Sequence, residues 1–345
     1  MSFVDISGWS SLETQLHDSA LYVVTTSVRP QDFAVISSTK ITVNLVLTDK
    51  EQFISMPRFD RFATLCLAFP LARVLGPRQG TRVPILMYHS ISANLFGMSH
   101  PYYHINTLPE VFSQQMRWLR HEGYRAIDLH EAWSGLEAGT DLSKSIVITF
   151  DDGYRDFYTD GFEVMKQCGF SATIFLATDR IQNSAARIEG ADYLTWKDVR
   201  ELHAEGIHFG SHTVTHPDLR SLGPDQIEYE LGRSKEIIEQ NLDAPITSFS
   251  YPFAFPEEDE CFTQFLEDFM VSLGYEVGVS TILGRASRKH DKFFLPRLPV
   301  NNWDDAGMLH AKLEGGYDWL HWPQLIKKSI FHNITTMERA SKVYI

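Results

Sequence analysis

Apolar and polar positions follow two rhythms along the second three-quarters of the chain. Short runs rich in apolar and β-branched residues read as buried strands: PILMY (84–88), SIVITF (145–150), SATIFLAT (171–178), IHFGS (207–211), TSFSYP (247–252) and YEVGVS (275–280). Between them lie segments with helical periodicity at 109–123, 154–169, 195–206, 223–242 and 256–274. The first of these opens on Pro109 and closes on Gly123, as helices commonly do. Strand–helix alternation over roughly 220 residues predicts a parallel α/β sheet, either open or closed into a barrel.

The first 80 residues have a different texture. LYVVTTSV (21–28) and FAVISSTKITVNLVL (33–47) read as strands. FATLCLAFPLARVLG (62–76) is apolar but too short to span a bilayer, and it contains Pro70 and Arg73. It reads as a lead-in helix packed on the main domain. GPRQGTRVP (76–84) has linker composition. The expected organisation is an N-terminal appendage with β-strands at 1–80, a catalytic domain at 81–325 and a tail at 326–345.

Composition narrows the partners. Of 345 residues, 43% are hydrophobic and 22% charged, with a formal net charge of −13. That balance argues against nucleic acid and anionic membrane surfaces, which require basic patches. Cys66, Cys168 and Cys261 are odd in number and far apart, which excludes a disulfide framework and a thiolate zinc knuckle; buried reduced thiols are expected. The N-terminus has no basic head followed by an apolar run, so a cytoplasmic location is expected. A start at Met56 would make 57–76 signal-like and point to the cell envelope instead.

Polar residues collect where the strands end. His89 follows PILMY, Asp151 and Asp152 follow SIVITF, His212 follows IHFGS with His216 four residues on, and Pro252 closes TSFSYP. In parallel α/β folds the carboxyl ends of the strands share one face, and that face carries the site. Two imidazoles spaced i, i+4 on a helical turn can share a cation, with a carboxylate from another strand end as third ligand. The remaining carboxylate is then free to act as a base toward water. Each motif alone is ordinary, since Asp-Asp-Gly suits a turn or helix cap. Together, at predicted strand ends, they indicate a catalytic metal site.

These residues resemble those of the polysaccharide deacetylases, carbohydrate esterase family 4. TFDDG (149–153) is similar to the family's first motif and SHTVTHPDL (211–219) to its second. SFSYPFAF (248–255), LMYHSI (86–91) and LPRLPVNNW (295–303) resemble a subgroup with permuted motif order and a YPYG-like third region. The resemblance spans about residues 82–325. It implies a distorted (β/α) barrel and metal-assisted hydrolysis of N-acetyl groups on an amino-sugar glycan or its precursor. A carbohydrate O-acetyl esterase, or a degenerate carbohydrate-binding protein, would use the same frame.

The resemblance also implies roles. Asp151 is the general base; Asp152, His212 and His216 bind the metal, Zn2+ first, with Co2+, Ni2+ or Fe2+ as alternatives. Arg297 orients Asp151, because the family's arginine-bearing third motif is absent. His89 is the general acid, with His321 of the C-terminal WLH as rival. The Tyr251–Pro252 region supplies an oxyanion donor. Ala254 stands where a glycine is usual, which bears on substrate length. Trp133, Trp196, Trp303, Trp319 and Trp322 are the aromatic candidates for stacking on sugar rings.

Overall fold

The structure, a computed structural model, describes residues 59–75, 81–93, 106–184, 187–188 and 190–329. The strands expected at 21–28 and 33–47 lie outside these residues. By internal contacts the chain divides into Met1–Ser55 and Met56–Ile345.

That lead-in segment is helical: α1 (Phe59–Ala63) passes through a π-turn (Thr64–Ala68) into α2 (Phe69–Leu75). Pro70 has no N–H to contribute, and the turn before it widens, with the Phe69 N–H reaching Thr64 O five residues back. The elements that follow are β1 (Ile85–Tyr88), β2 (Ser90–Ile91), β3 (Asn106–Thr107), α3 (Pro109–His121), β4 (Arg125–Ala126), α4 (Leu129–Ala138) and β5 (Ser145–Phe150). A π-turn (Phe157–Gly161) then leads into α5 (Phe162–Cys168), β6 (Thr173–Leu176), β7 (Arg187–Ile188), β8 (Ala191–Asp192) and α6 (Trp196–Ala204). After these come β9 (His208–Ser211), α7 (Pro224–Leu242), β10 (Ser248–Ser250), α8 (Glu260–Ser272), β11 (Val277–Leu283), β12 (Leu295–Pro299) and α9 (Ala306–Leu313), followed by a 3-10 turn (Asp318–Leu320) and helical residues 321–329.

Seven of these strands close a ring in the order β1-β12-β11-β10-β9-β6-β5 and back to β1, with every pairing parallel. Closure leaves the ring no open edge. Its register sets the site. Tyr88 pairs with Phe150, Leu176 with Ser211, and Phe249 with Ser211. The residues that follow, His89, Asp151, Ala177, His212 and Ser250, therefore emerge together at the carboxyl end.

The barrel interior grades from apolar to polar along its axis. Ile85, Val147, Phe175, Val279 and Leu295 come from five strands of the ring and form one buried cluster, closed at the amino end by Leu129, Ala132 and Leu136 of α4. Side chains alternate along a strand. The face of β5 that carries Val147 therefore carries Thr149 and then Asp151, and the face of β12 that carries Leu295 carries Arg297. The opposite parity, Leu86, Tyr88, Ile148 and Phe150, packs with Phe112, Met116, Met165 and Leu313 of the surrounding helices.

Only Cys168 of the three unpaired cysteines is buried; Cys66 and Cys261 are exposed, contrary to expectation. No helix among the described residues is long and apolar enough to cross a membrane.

The lead-in helix is tied to the barrel domain by specific contacts. Arg61 forks onto Asp305 at 3.2 and 2.6 Å, Trp319 Nε1 donates to Thr64 Oγ1 at 3.2 Å, and the Phe69 ring meets His310 edge-on. Compared with a chain that begins at Met56, one that begins at Thr81 is expected to melt lower by on the order of 5 °C in calorimetry. Equal melting temperatures would show that this helix contributes nothing to the fold.

Candidate active site

The adjacent aspartates turn away from each other. Asp151 continues the inward face of β5, and its N–H bonds to Tyr88 O at 3.0 Å. Asp152 takes a left-handed conformation (φ 72°), followed by Gly153 (φ 77°). A side chain at Gly153 would also meet Leu176 at 2.9 Å and Ile181 at 3.0 Å, so the sharp turn requires glycine on both counts.

Asp151 meets Arg297, whose side chain is fully buried. Nη1 donates to Asp151 Oδ1 at 2.8 Å and Nη2 to Oδ2 at 2.7 Å, a bidentate fork. The other donors are also used: Nε to Ser280 O (2.9 Å), Nη1 to Thr149 Oγ1 (3.1 Å) and Nη2 to Ser250 Oγ (3.1 Å). All five N–H groups of the guanidinium are thereby satisfied. Burial alone would raise the Asp151 pKa, but Arg297, with His212 and His89, outweighs it and holds the carboxyl well below the usual range. His89 Nε2 stands 4.0 Å from Asp151 Oδ2, and burial lowers its pKa against the pull of Asp151 and Asp152.

Asp152 faces the histidines. Its Oδ1 lies 3.7 Å from His212 Nε2 and 3.3 Å from His216 Nε2. One ligand atom from each of the three residues falls within a 4.8 Å cluster. Asp152 Oδ1 is buried and has no hydrogen-bond partner. His212 Nδ1 lies 2.7 Å from Ser250 O; a carbonyl only accepts, so this nitrogen carries the proton and the Nε2 lone pair points at Asp152. Burial, reinforced by His212 and opposed by Asp152, pushes His216 down to about 4, leaving its imidazole neutral. A buried carboxylate oxygen without a hydrogen bond, facing two imidazole nitrogens, fits a divalent cation, and these are the family-implied ligands.

The histidine loop is not the helical turn that the i, i+4 spacing suggested. Residues 212–216 are irregular, with Thr213 at φ 70° and His216 at φ 59°. The rings are brought to a 4.8 Å centroid separation by loop contacts instead. His216 N–H donates to Thr213 Oγ1 at 3.0 Å. Glu230 of α7, itself buried, accepts from Val214 N (2.8 Å), Thr215 N (2.9 Å) and Thr215 Oγ1 (2.8 Å). Sequence reading passed over Glu230, Thr149 and Ser250, because a glutamate in a helix or a hydroxyl in a strand carries no local signal of such a role.

Two expected roles need correction. The Tyr251 N–H is bonded to Val279 O at 3.0 Å within the sheet, its phenol is buried against Phe255, and Pro252 has no N–H. Neither residue has a free backbone N–H to offer an oxyanion. The next N–H, that of Phe253, has no acceptor among the described residues; Phe253 sits at φ 57° with its ring 4.5 Å from that of His216. His321 pairs with Glu257 at 2.8 Å, so the imidazole beside Asp151 is His89. Of the tryptophans, Trp196 is core, Trp133 and Trp319 are partly buried, and Trp303 and Trp322 are exposed.

Arg297→Met is expected to destabilise by about 3–5 kcal/mol at pH 7, because it strands a buried carboxylate. The pH dependence also inverts. In the native chain the depressed Asp151 contributes stability above its unfolded value of about 3.9, and this is lost as pH falls below it. In the variant, burial raises the Asp151 pKa, so stability declines as pH rises from about 4 toward 7. Urea titrations at pH 4.5 and 7 read the sign. A variant as stable as wild type at pH 7 would show the pair to be dispensable.

Relatives extend the picture. A family model described as polysaccharide deacetylase matches residues 138–275, which include Asp151, Asp152, His212 and His216 but neither His89 nor Arg297. The Bacillus subtilis (strain 168) protein YxkH, named for the same family, is 33% identical over 234 residues, 68% of this chain and 76% of the relative. A poly-beta-1,6-N-acetyl-D-glucosamine N-deacetylase of Staphylococcus epidermidis is 24% identical over 219 residues, 60% of this chain and 71% of its own. Among solved structures, the Streptococcus pyogenes deacetylase PplD in complex with acetate superposes with a TM-score of 0.58 at 26% identity, over 68% of this chain and 99% of that one. With barrel, strand-end residues and relatives in agreement, this chain belongs to the polysaccharide deacetylase family.

Proposed function

We propose that the chain is a metal-dependent hydrolase that removes N-acetyl groups from an amino-sugar-containing glycan or glycan precursor. The observation that carries this reading is the division of labour between adjacent carboxylates. Asp151 is neutralised by Arg297, while Asp152 Oδ1 accepts no hydrogen bond and faces two imidazoles, with Arg180 Nη1 at 3.7 Å. The N-deacetylase activity named for the Staphylococcus epidermidis relative supports the substrate class.

Asp152, His212 and His216 would hold a divalent cation, zinc by the chemistry of the donor set, which would supply Lewis-acid polarisation of the acetamido carbonyl and of water. The remaining steps belong to the chain's own groups. Asp151, ionised and fixed by the Arg297 fork, accepts the proton of the attacking water. The Phe253 N–H is the available donor in the 251–255 turn for the oxyanion that develops on the carbonyl. As the C–N bond breaks, the nitrogen must be protonated, since an amide anion is far too basic to leave. His89, 4.0 Å from Asp151, is placed to take the proton that Asp151 has accepted and pass it to that nitrogen. Water and amide become acetate and the free amine.

Alanine at Asp152, His212 or His216 is expected to empty the cation site, whereas Asp151→Asn keeps the cation and loses about 10²–10⁴ of turnover. Elemental analysis of the purified variants separates the two classes. Full occupancy in His216→Ala would overturn the ligand assignment.

A general acid matters in proportion to how poor the leaving group is. His89→Ala is expected to lose about 10²–10⁴-fold on an N-acetyl sugar and much less on an activated aryl acetate, with cation content unchanged. His321→Ala should leave that ratio unaltered. Equal losses on both substrates for His89→Ala would reduce His89 to a positioning role.

A further inference from the structure

The lead-in segment is amphipathic in the opposite sense to an ordinary surface helix. In water such a helix turns its apolar stripe to the core and its polar residues outward. Here the polar residues face the barrel domain. Asp60 and Thr64 are buried; Tyr317 Oη donates to Asp60 Oδ2 at 3.4 Å, Trp319 Nε1 donates to Thr64 Oγ1, and Arg61 is held by Asp305. Most of the large apolar residues face outward. Phe59, Phe62, Leu67, Leu71 and Val74 are each more than half exposed, Val74 at 84%. Exposed Cys66 and Pro70 lie between them. Five of the eleven exposed large apolar side chains among the described residues thus share one segment, α1 to α2. Two more, Trp322 and Ile326, stand on helical residues 321–329, directly after the turn that holds Thr64. Scattered exposed apolar residues need no explanation, but a broad face of them marks a partner.

The charge of the segment narrows the partner. The chain as a whole carries −13, but residues 56–82 hold five arginines against one aspartate, a net +4. Arg61 and Arg82 face Asp305 and Asp318. Arg73 is exposed beside Leu71 and Val74, and Arg58 and Arg78 flank the apolar run in sequence. A second copy of the chain would bring like charges together across this face, which disfavours self-association. An anionic phospholipid surface meets both demands, with acyl chains for the apolar residues and headgroup charge for the arginines. The segment is too short to cross a bilayer, and its polar side is fastened to the domain, so it suits the plane of the interface.

We propose that the outward face of α1 and α2 docks on an anionic phospholipid surface, with Phe59, Phe62, Leu67, Leu71 and Val74 entering the boundary between headgroups and acyl chains and Arg73 at its edge. Arg61 meets Asp305, which follows the carboxyl end of β12, so the docked face reaches the end of the barrel that carries the cation site. Docking of this kind is independent of the reaction at that site.

The test is flotation of the full chain with vesicles of phosphatidylcholine alone, or of phosphatidylcholine with about 30% phosphatidylglycerol. Wild type is expected to bind the anionic vesicles at least about tenfold tighter than the neutral ones, and less tightly as salt rises. Leu67→Gln combined with Leu71→Gln should weaken binding by at least about tenfold, and Arg73→Gln should weaken it on the anionic vesicles alone. These positions are exposed, so the melting temperature should stay at the wild-type value. An environment-sensitive fluorophore on Cys66, with Cys261→Ser leaving only buried Cys168 besides, should shift its emission to the blue in the bound state. No binding to anionic vesicles overturns the proposal, as does equal affinity for both vesicle types. So does binding that leaves the Cys66 probe unshifted or survives the double leucine substitution, since another surface would then carry it. If wild type ignores vesicles but self-associates, and the double substitution disperses it, the face joins two copies and lipid docking is refuted.

Discussion

A fully buried guanidinium organises this molecule. Removing a charge from water costs several kcal/mol, and only a complete set of acceptors offsets that. Arg297 finds its set on three other strands: Thr149 and Asp151 from β5, Ser250 from β10 and Ser280 from β11. Thr149 is itself held by donating to Leu86 O of β1 at 2.8 Å. The polar end of the barrel is therefore one hydrogen-bonded network. Ser250 belongs to it twice: its hydroxyl accepts from Arg297 and its carbonyl accepts from His212. The residue that helps fix Asp151 also fixes the tautomer of His212.

The same end of the barrel holds strained backbone. Asp152, Thr213, His216 and Phe253 all have positive φ without being glycine, and each lies in a site loop. Such conformations cost on the order of 1 kcal/mol or more each and persist only where surroundings over-determine them. Here the surroundings are explicit. Glu230 takes three donors from the histidine loop, Thr213 Oγ1 holds His216, and Thr281 Oγ1 donates to Phe253 O at 2.9 Å while accepting from Phe255 N at 2.8 Å. Rigid support under a turn that no unconstrained chain would adopt is how cation ligands are presented in a fixed geometry.

Much of this was legible in the chain, and the reason is periodicity. Buried runs such as SIVITF announce strands, and a polar residue directly after such a run must sit at a strand end, so His89, Asp151, Asp152 and His212 could be placed on one face before any coordinates. What sequence obscured was hydrogen-bond geometry between distant residues. Glu230 reads as an ordinary solvated position of α7. Tyr251 reads as part of an oxyanion-binding region, yet its N–H belongs to the sheet. The HTVTH spacing suggests a helix because sequence shows the i, i+4 interval and not the left-handed residues within it. Helix α4 went unread because Gly135 interrupts its pattern; a side chain there would press within 2.9 Å of Leu142, so packing and not helix propensity selects the glycine. Arg297 was reached only through family likeness, since a lone arginine in a β-strand has no spacing rule to betray it.

Closure of the ring has a temporal side. β1 can pair with β5 early, but β12, about two hundred residues beyond β1, is the last strand of the ring to be made and the one that joins β11 to β1. Loop entropy makes such a long-range pairing late in folding as well as in synthesis. Until it forms, Asp151 has no counter-ion, and a carboxylate inside an unclosed barrel is best protonated or left in water. The ion pair of Asp151 and the final staple of the fold thus form in a single event, so a partly made chain holds the two charges apart.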